Sequence, residues 1–483
     1  MHKNDIYQLF IGNGVVIMAN FFRRKSIEQA NKITEVERFK LKRELGSLQL
    51  LLYVLGATIG AGIFVLPGTT AALHAGPGVV VSFLIGGLVT IAVGLAYVEF
   101  AAMAPVAGSA YTYSYIALGE IIAWMIGWDL LLEFIVISST VAVGWSGYVD
   151  SFLQSVGIHL PGALTKDIAH GGVVNLPAVV GWLIVAWIAM SGIKNVGRSN
   201  MLFTMAKVGA IVLFLAIGAF HINPINWTPF TPFGWSGVMA GAALVFFAFT
   251  GFDGVTTVME EVKNPQKTIP KALIGGLSVL TLIYALVALV LTGIVPFPEL
   301  DVPNPTVYAL QSVGIQWGGA IIAVSVIFGL LATMIANTTS ATRVLFAMSR
   351  DGLLPERIAQ TNKKTGVPVL STLIVVGTGI LLSGFLSIGE LAEFANIGGL
   401  TAFALTTVSV VVLRYTRPDQ PRIFKVPALW LVATVGVGGC IVLIFSLPLF
   451  TIVRFMIWLA IGLVIYIGYG YKHAKMGSDN ENL

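Results

Sequence analysis

From about Gly46 to Lys472 the chain repeats one pattern. A long apolar run is followed by a short polar, Pro-rich or charged stretch, such as KNPQKTIPK at 263–271 or RYTRPDQPRIFK at 414–425. About 20 apolar residues suffice for a helix to cross the hydrocarbon core of a bilayer. Twelve such spans are predicted, centred near Ile59, Gly87, Leu132, Ile184, Leu213, Phe246, Tyr284, Leu331, Gly377, Leu405, Val437 and Leu459. The expected fold is therefore an all-α polytopic membrane protein with 12 transmembrane helices. Residues 1–44 form a cytoplasmic N-terminal segment, 45–472 the transmembrane domain and 473–483 a cytoplasmic tail.

Composition agrees. Of 483 residues, 56% are hydrophobic and 11% charged, against about 25% charged in a soluble domain. The charge is distributed by topology. With the N-terminus inside, 24 of the 28 Lys and Arg fall on the inner side. Lys166 alone lies in an outer loop, and Lys207, Arg343 and Arg454 fall within spans. This bias places both termini in the cytoplasm. It also accounts for the basic balance without nucleic acid. Cys440 stands alone in an apolar run, where it reads as a packing residue, and the six histidines are scattered. The first residues, IYQLFIGNGVVIMANFF, are followed rather than preceded by basic residues, opposite to a signal peptide. Either Met18 is the native start, or 1–17 is a dispensable interfacial segment.

Two spans carry weak centres. Residues 56–64 read GATIGAGIF, with three glycines, and the sixth span has FTGFDG at its middle. Glycine weakens a helix by up to about 1 kcal/mol relative to alanine. Small residues also let membrane helices pack closely, and GGLV at 86–89 is read that way. The first and sixth spans, however, open two five-span halves and run in opposite directions. Paired interruptions at corresponding places mark an inverted repeat with discontinuous helices, the sequence sign of a midplane transport site. Irregular backbone at that depth must be buried in protein or line a cavity. The repeats run over about 46–220 and 234–416, with two extra helices at about 427–471.

The stretches GATIGAGIF, FFAFTGFDGVTTVMEEVKNPQKTIPKALI, RVLFAMSRDGLLP and PVAGSAYTYSYIALGEIIAWMIGWDLLLEF resemble the amino acid–polyamine–organocation superfamily, and most of all bacterial relatives of cationic amino acid transporters. The likeness runs from about Gly46 to Lys472. It implies a LeuT-like five-plus-five fold and an amino acid substrate.

An unwound helix frees N–H donors at the start of its second half and carbonyls at the end of its first. An α-amino acid carries a carboxylate and an ammonium that match such a pair. The resemblance implies that the carboxylate meets Gly60, Ala61 and Gly62 in the turn after Ile59. It implies that the ammonium meets carbonyls at Thr58, Phe247, Ala248 and Thr250. Met334 maps near the place where relatives tune side-chain size, although core filling also explains it. Glu133 is a carboxylate within the third span, where acids usually face a cavity or a partner.

Lys207, in MLFTMAKVGAIVLF, is the sharpest single residue. A lone lysine within a span costs a few kcal/mol. Snorkelling to the inner end near Arg198 would require about 13 Å at 1.5 Å per residue, roughly twice the reach of its stem. Buried amines can exchange their proton near neutral pH. The resemblance implies that this ammonium stands where sodium-coupled relatives hold their ion. The expected structural charges are Glu99, Asp129, Asp253, Arg343 and Asp351.

No nucleophile–base pair, phosphate-binding glycine loop or nucleotide-binding domain is visible, so neither an enzyme nor a primary pump is indicated. The leading expectation is a plasma-membrane secondary transporter for proton-coupled uptake of L-amino acids. Small neutral substrates are favoured, because Met334 narrows the pocket, and cationic ones come second. The alternatives are an amino acid exchanger without net ion flux and a membrane amino acid sensor that uses the basic arm 23–43. No cofactor, metal or nucleic acid is implied. The partners are the amino acid, a proton and the bilayer, and protein partners are unspecified.

Overall fold

The computed structural model describes residues 23–24, 45–103, 109–155, 157–165, 168, 171–302 and 304–474. Most of the expected cytoplasmic segment 1–44, including Met18, lies outside the described residues, as do Lys166 and the tail from 475 onward.

Every long apolar run becomes a helix. α1 (Ser47–Thr58) is followed by the short α2 (Ala61–Phe64) and α3 (Leu66–Thr70). Then come α4 (Val79–Met103), α5 (Ala110–Ala117), α6 (Glu120–Ser155), α7 (Leu176–Met190) and α8 (Ile193–Gly218). The second half contains α9 (Gly234–Val245), a 3-10 continuation through Glu261, α10 (Pro265–Ile294), α11 (Pro305–Ser312), α12 (Gln316–Arg350), α13 (Val369–Phe385) and α14 (Ile388–Thr416). α15 (Leu429–Phe445) and α16 (Leu449–Ile465) close the chain. Among the described residues, eight helices are long and apolar enough to cross a membrane, and four more apolar helices have 10–17 residues.

Exposed Leu88, Trp187, Leu202, Trp430, Phe445 and Val464 face outward, as expected where lipid replaces water around the bundle. The interior is built by close approach. A Cβ on Gly87 would lie 2.3 Å from the Thr281 side chain, so a side chain of α10 packs directly on the backbone of α4, the close packing expected for GGLV. α6 and α12, the two longest helices, also lie against each other.

Charges gather at one end. Arg343 pairs with Glu261 at 2.8 Å and Arg350 with Glu260 at 3.1 Å, all four buried. Glu99 of α4 receives Arg414 of α14 at 2.6 Å and the amide of Val426 at 2.7 Å. The Arg23 guanidinium reaches Glu120 at 3.2 Å, and Tyr115 and Tyr466 donate to the same carboxylate. Among the described residues one strand-like pairing occurs, an isolated parallel bridge between Leu45 and Val262. It is made by Leu45 N–H to Glu261 O and Lys263 N–H to Leu45 O, both 2.9 Å.

Both expected interruptions are present. α1 ends at Thr58, and Ile59 is extended, with φ −70° and ψ 97°. In the sixth run the helix tightens at Phe246–Phe249, Thr250 is extended, and Gly251 takes the left-handed conformation at φ 86°. Glycine adopts that region without steric cost. The segment beyond it, Phe252–Glu261, winds as a 3-10 helix rather than an α-helix. Its run Val255–Val258 is wholly β-branched, which disfavours α-helix. The Thr256 and Thr257 hydroxyls bond carbonyls three residues back, at 2.7 and 2.6 Å.

Candidate substrate site

The last four carbonyls of an α-helix have no partner within the helix. At the end of α1 Leu55 O takes the Ile59 amide at 2.9 Å, and the carbonyls of residues 56–59 are satisfied by side chains from three other helices. Lys207 of α8 donates its ammonium to Gly56 O at 2.7 Å and Ile59 O at 2.5 Å. Asn337 of α12 donates to Ala57 O at 3.1 Å. The Tyr284 hydroxyl of α10 lies 3.3 Å from Thr58 O and 3.0 Å from Ala248 O, bridging the two breaks. Thr333 of α12 accepts from Lys207 at 3.1 Å and donates to Ile59 O at 2.8 Å. The lysine nitrogen is therefore directed at the break and is fully buried, rather than snorkelling.

On the other side of the break the balance is reversed. Gly60, Ala61 and Gly62 lead into a fresh half-helix whose first amides have no carbonyl one turn earlier within it. The backbone here is pressed against the second break. A Cβ on Gly62 would stand 2.5 Å from Ala248 Cα, and one on Gly60 would stand 3.2 Å from the Thr333 methyl. The second break is fixed by the Thr250 hydroxyl, which donates to Phe247 O at 2.8 Å. The two interruptions thus lie against each other, with amides at the start of α2 on one side and the carbonyls of the Phe247–Thr250 break on the other.

Three buried carboxyls stand close by. Glu133 and Asp129, one turn apart on α6, each have both oxygens without a hydrogen bond, and Asp253 has one such oxygen. Gly398 and Gly399 of α14 make room for them. A Cβ on Gly399 would meet Glu133 Oε1 at 2.6 Å and the Thr250 methyl at 3.6 Å. Asp129 was expected to bond a neighbouring helix and does not, because it faces a glycine rather than a donor. Glu99 does make the interhelical bond expected of it, and Arg343 is held in a buried ion pair with Glu261. Beyond α2, a cavity of about 410 Å³ is lined by Val65, Thr69, Tyr148, Asp301 and Asn304, among others.

The family described as "Amino acid permease" matches residues 45–469. The chain belongs to this family. The permease is 44% identical over 462 residues to the branched-chain amino acid permease BcaP of Bacillus subtilis, covering 94% of this chain and 98% of that protein. It is 41% identical to the methylthioribose transporter of Bacillus subtilis, covering 95% and 100%. It is 35% identical to the vacuolar cationic amino acid transporter 4 of Arabidopsis thaliana, covering 83% and 68%. These matches bear out the resemblance to the amino acid–polyamine–organocation superfamily, and all three relatives are named permeases or transporters rather than enzymes.

In the permease, Thr58, Ile59, Gly60, Ala61, Gly62, Phe247, Ala248, Thr250 and Lys207 come together at the paired breaks, and Glu133 borders them across Gly399. Met334 is fully buried on α12, but the hydrogen bonds from that helix to the breaks come from Thr333 and Asn337. Those two residues and Tyr284 were not singled out in the sequence. Thr333 and Asn337 are four apart, on one face of an apolar helix, which is a readable signal. Tyr284 lies in the apolar run TLIYALV and offers none.

Proposed function

We propose that the permease is a secondary active transporter that takes up neutral L-amino acids with a proton, by alternating access. The observation behind this reading is the asymmetric break of the first span. Its carbonyls are occupied by Lys207, Asn337, Tyr284 and Thr333, while the amides of Gly60, Ala61 and Gly62 remain for a carboxylate. Partial positive charge at a helix start favours an anion. The substrate ammonium then lies against the carbonyls of the Phe247–Thr250 break. In this scheme Lys207 braces the break when protonated, and releasing its proton inward loosens the carbonyls of Gly56 and Ile59 as substrate leaves.

The finer architecture belongs to the same proposal. Twelve spans are obtained by joining α1 to α3 across the break and leaving out the eight-residue α5 and α11. The order of 25-, 8- and 36-residue helices from α4 to α6 is repeated as 30, 8 and 35 residues from α10 to α12, which supports an inverted repeat. The basic balance of the loops assigned to the inner side supports a reading in which both termini lie in the cytoplasm and the permease in the plasma membrane.

A neutral, apolar side chain is favoured over a cationic one. Met334 narrows the pocket in the sequence reading, and a relative is named for branched-chain substrates. A second reading, transport of methylthioribose, is favoured by the relative bearing that name. That sugar has neither carboxylate nor ammonium, so it would leave the amides of the first break unused. Uptake of leucine and alanine into proteoliposomes is expected to rise with an inward proton gradient, with methylthioribose failing to compete. Uptake driven by sodium at fixed pH would overturn proton coupling. Counterflow that ignores the gradient would indicate an exchanger, and binding without flux a sensor.

A further inference from the structure

Three basic residues fall within apolar spans, and two of them find buried partners. The third, Arg454 of α16, does not fit that pattern. Its guanidinium lies 3.8 Å from the centre of the Phe450 ring. Its contacts to Glu390 Oε1 are 3.4 and 3.5 Å, at the long limit of hydrogen bonding. Both side chains remain about one-third exposed, at 32% and 39%. Glu393 is close by, accepting the Thr451 hydroxyl from the helix that carries Arg454. The patch therefore pairs the guanidinium with Glu390 and sets a second carboxylate, Glu393, about one turn along α14.

Arg454 also lines a cleft. A cavity of about 360 Å³ lies between α6, α13, α14 and α16, and every lining side chain except Arg454 and Thr378 is apolar or aromatic. Ile457 and Ile461, which form one wall, are exposed at 55% and 48%, so the cleft opens on the surface that faces the bilayer. Arg454 lies five residues inside α16, about 7.5 Å below its start, and the wall continues about 10 Å deeper to Ile461. A charged mouth over an apolar slot has the proportions of a phospholipid.

We propose that this cleft is a binding site for phosphatidylethanolamine, with an acyl chain between α13 and α16 and the headgroup at Arg454. Assigning it to the outer leaflet rests on the orientation proposed above. The guanidinium fork matches a phosphate. The Glu390 and Glu393 carboxylates match a primary ammonium, which offers three N–H donors. Phosphatidylcholine offers none, and phosphatidylglycerol would set a net negative head against two carboxylates. An empty apolar slot forfeits contacts on one side, so the chain is held as well as the head.

The test uses the full chain. Native mass spectrometry of protein purified from a mixed bilayer is expected to retain phosphatidylethanolamine in preference to the other two lipids. Thermal stability is then compared in vesicles of phosphatidylcholine alone, with added phosphatidylethanolamine, and with added phosphatidylglycerol. A stabilising increment is expected only with phosphatidylethanolamine. Arg454→Gln should weaken the retained lipid roughly tenfold or more, the usual worth of a charge-assisted contact. Ile457→Trp should fill the slot and abolish the increment while leaving leucine binding unchanged. An equal increment from phosphatidylglycerol, or an increment undiminished in both variants, overturns the proposal. No lipid retained by the wild type overturns it without recourse to either variant.

Discussion

Replacing Lys207 with methionine separates the chemistry of its amine from the packing of its stem. The stem is tightly held, since a Cβ on Gly329 would lie 2.5 Å from Lys207 Cβ. Methionine keeps that volume. The substitution removes two bonds to carbonyls, but Ile59 O retains the Thr333 hydroxyl at 2.8 Å. Gly56 O loses the donor that Lys207 supplies, and a buried acceptor stripped of its partner costs about 1–3 kcal/mol. Against this, removing a charged amine from within a span recovers about 2.5–3.5 kcal/mol. The two nearly cancel, so thermal unfolding of Lys207→Met in detergent should stay close to wild type. Lys207→Ala should lose about 2–5 kcal/mol through the cavity it leaves. In proteoliposomes, Lys207→Met is expected to keep leucine counterflow and to lose acceleration by an inward proton gradient. A Met variant that still responds to the gradient would refute Lys207 as the coupling group. One that unfolds as readily as the Ala variant would show that the amine is chiefly a structural strut.

Three further outcomes are expected. Gly62→Ala sets a methyl 2.5 Å from the Ala248 backbone, so the breaks must separate; a thermal-shift screen should show no stabilisation by any amino acid, although binding to the native state normally raises the unfolding temperature. Tyr284→Phe removes the hydroxyl shared by Ala248 O and Thr58 O, and KM for uptake should rise about five- to tenfold, matching one lost hydrogen bond; an unchanged KM would remove Tyr284 from the site. Arg343→Gln breaks a buried ion pair and should destabilise by about 3–5 kcal/mol, whereas Arg343→Met with Glu261→Leu should recover most of it; equal losses in the single and double variants would contradict that account.

The spans and both breaks were legible because they follow from chain-local rules. Apolar runs of membrane length become helices whatever they touch, and glycines in GATIGAGIF and FTGFDG weaken their own backbone. Lys207 stood out because a lone charge in an apolar run needs a reason. Tyr284 was not legible, since its role depends on which helix it meets and nothing in its own run distinguishes it from lipid-facing neighbours. The same limit explains Asp129, whose environment is set by Gly398, more than 260 residues away in sequence. The 3-10 winding of Phe252–Glu261 was readable in principle from its β-branched run, but the apolar pattern is indifferent to helix type.

The bridge between Leu45 and Val262 has a mechanical consequence. It fastens the start of the first span to the end of the sixth, so in the proposed cycle these two ends are expected to move as one lever. That lever is latched to α12 at two points seven residues apart, Arg343 on Glu261 and Arg350 on Glu260. In the proposed alternating-access cycle, opening toward the latched end is expected to proceed in a single stroke, with both catches released together. Spin labels at Ser47 and Lys263 should keep a constant separation through the transport cycle while each moves away from Met348.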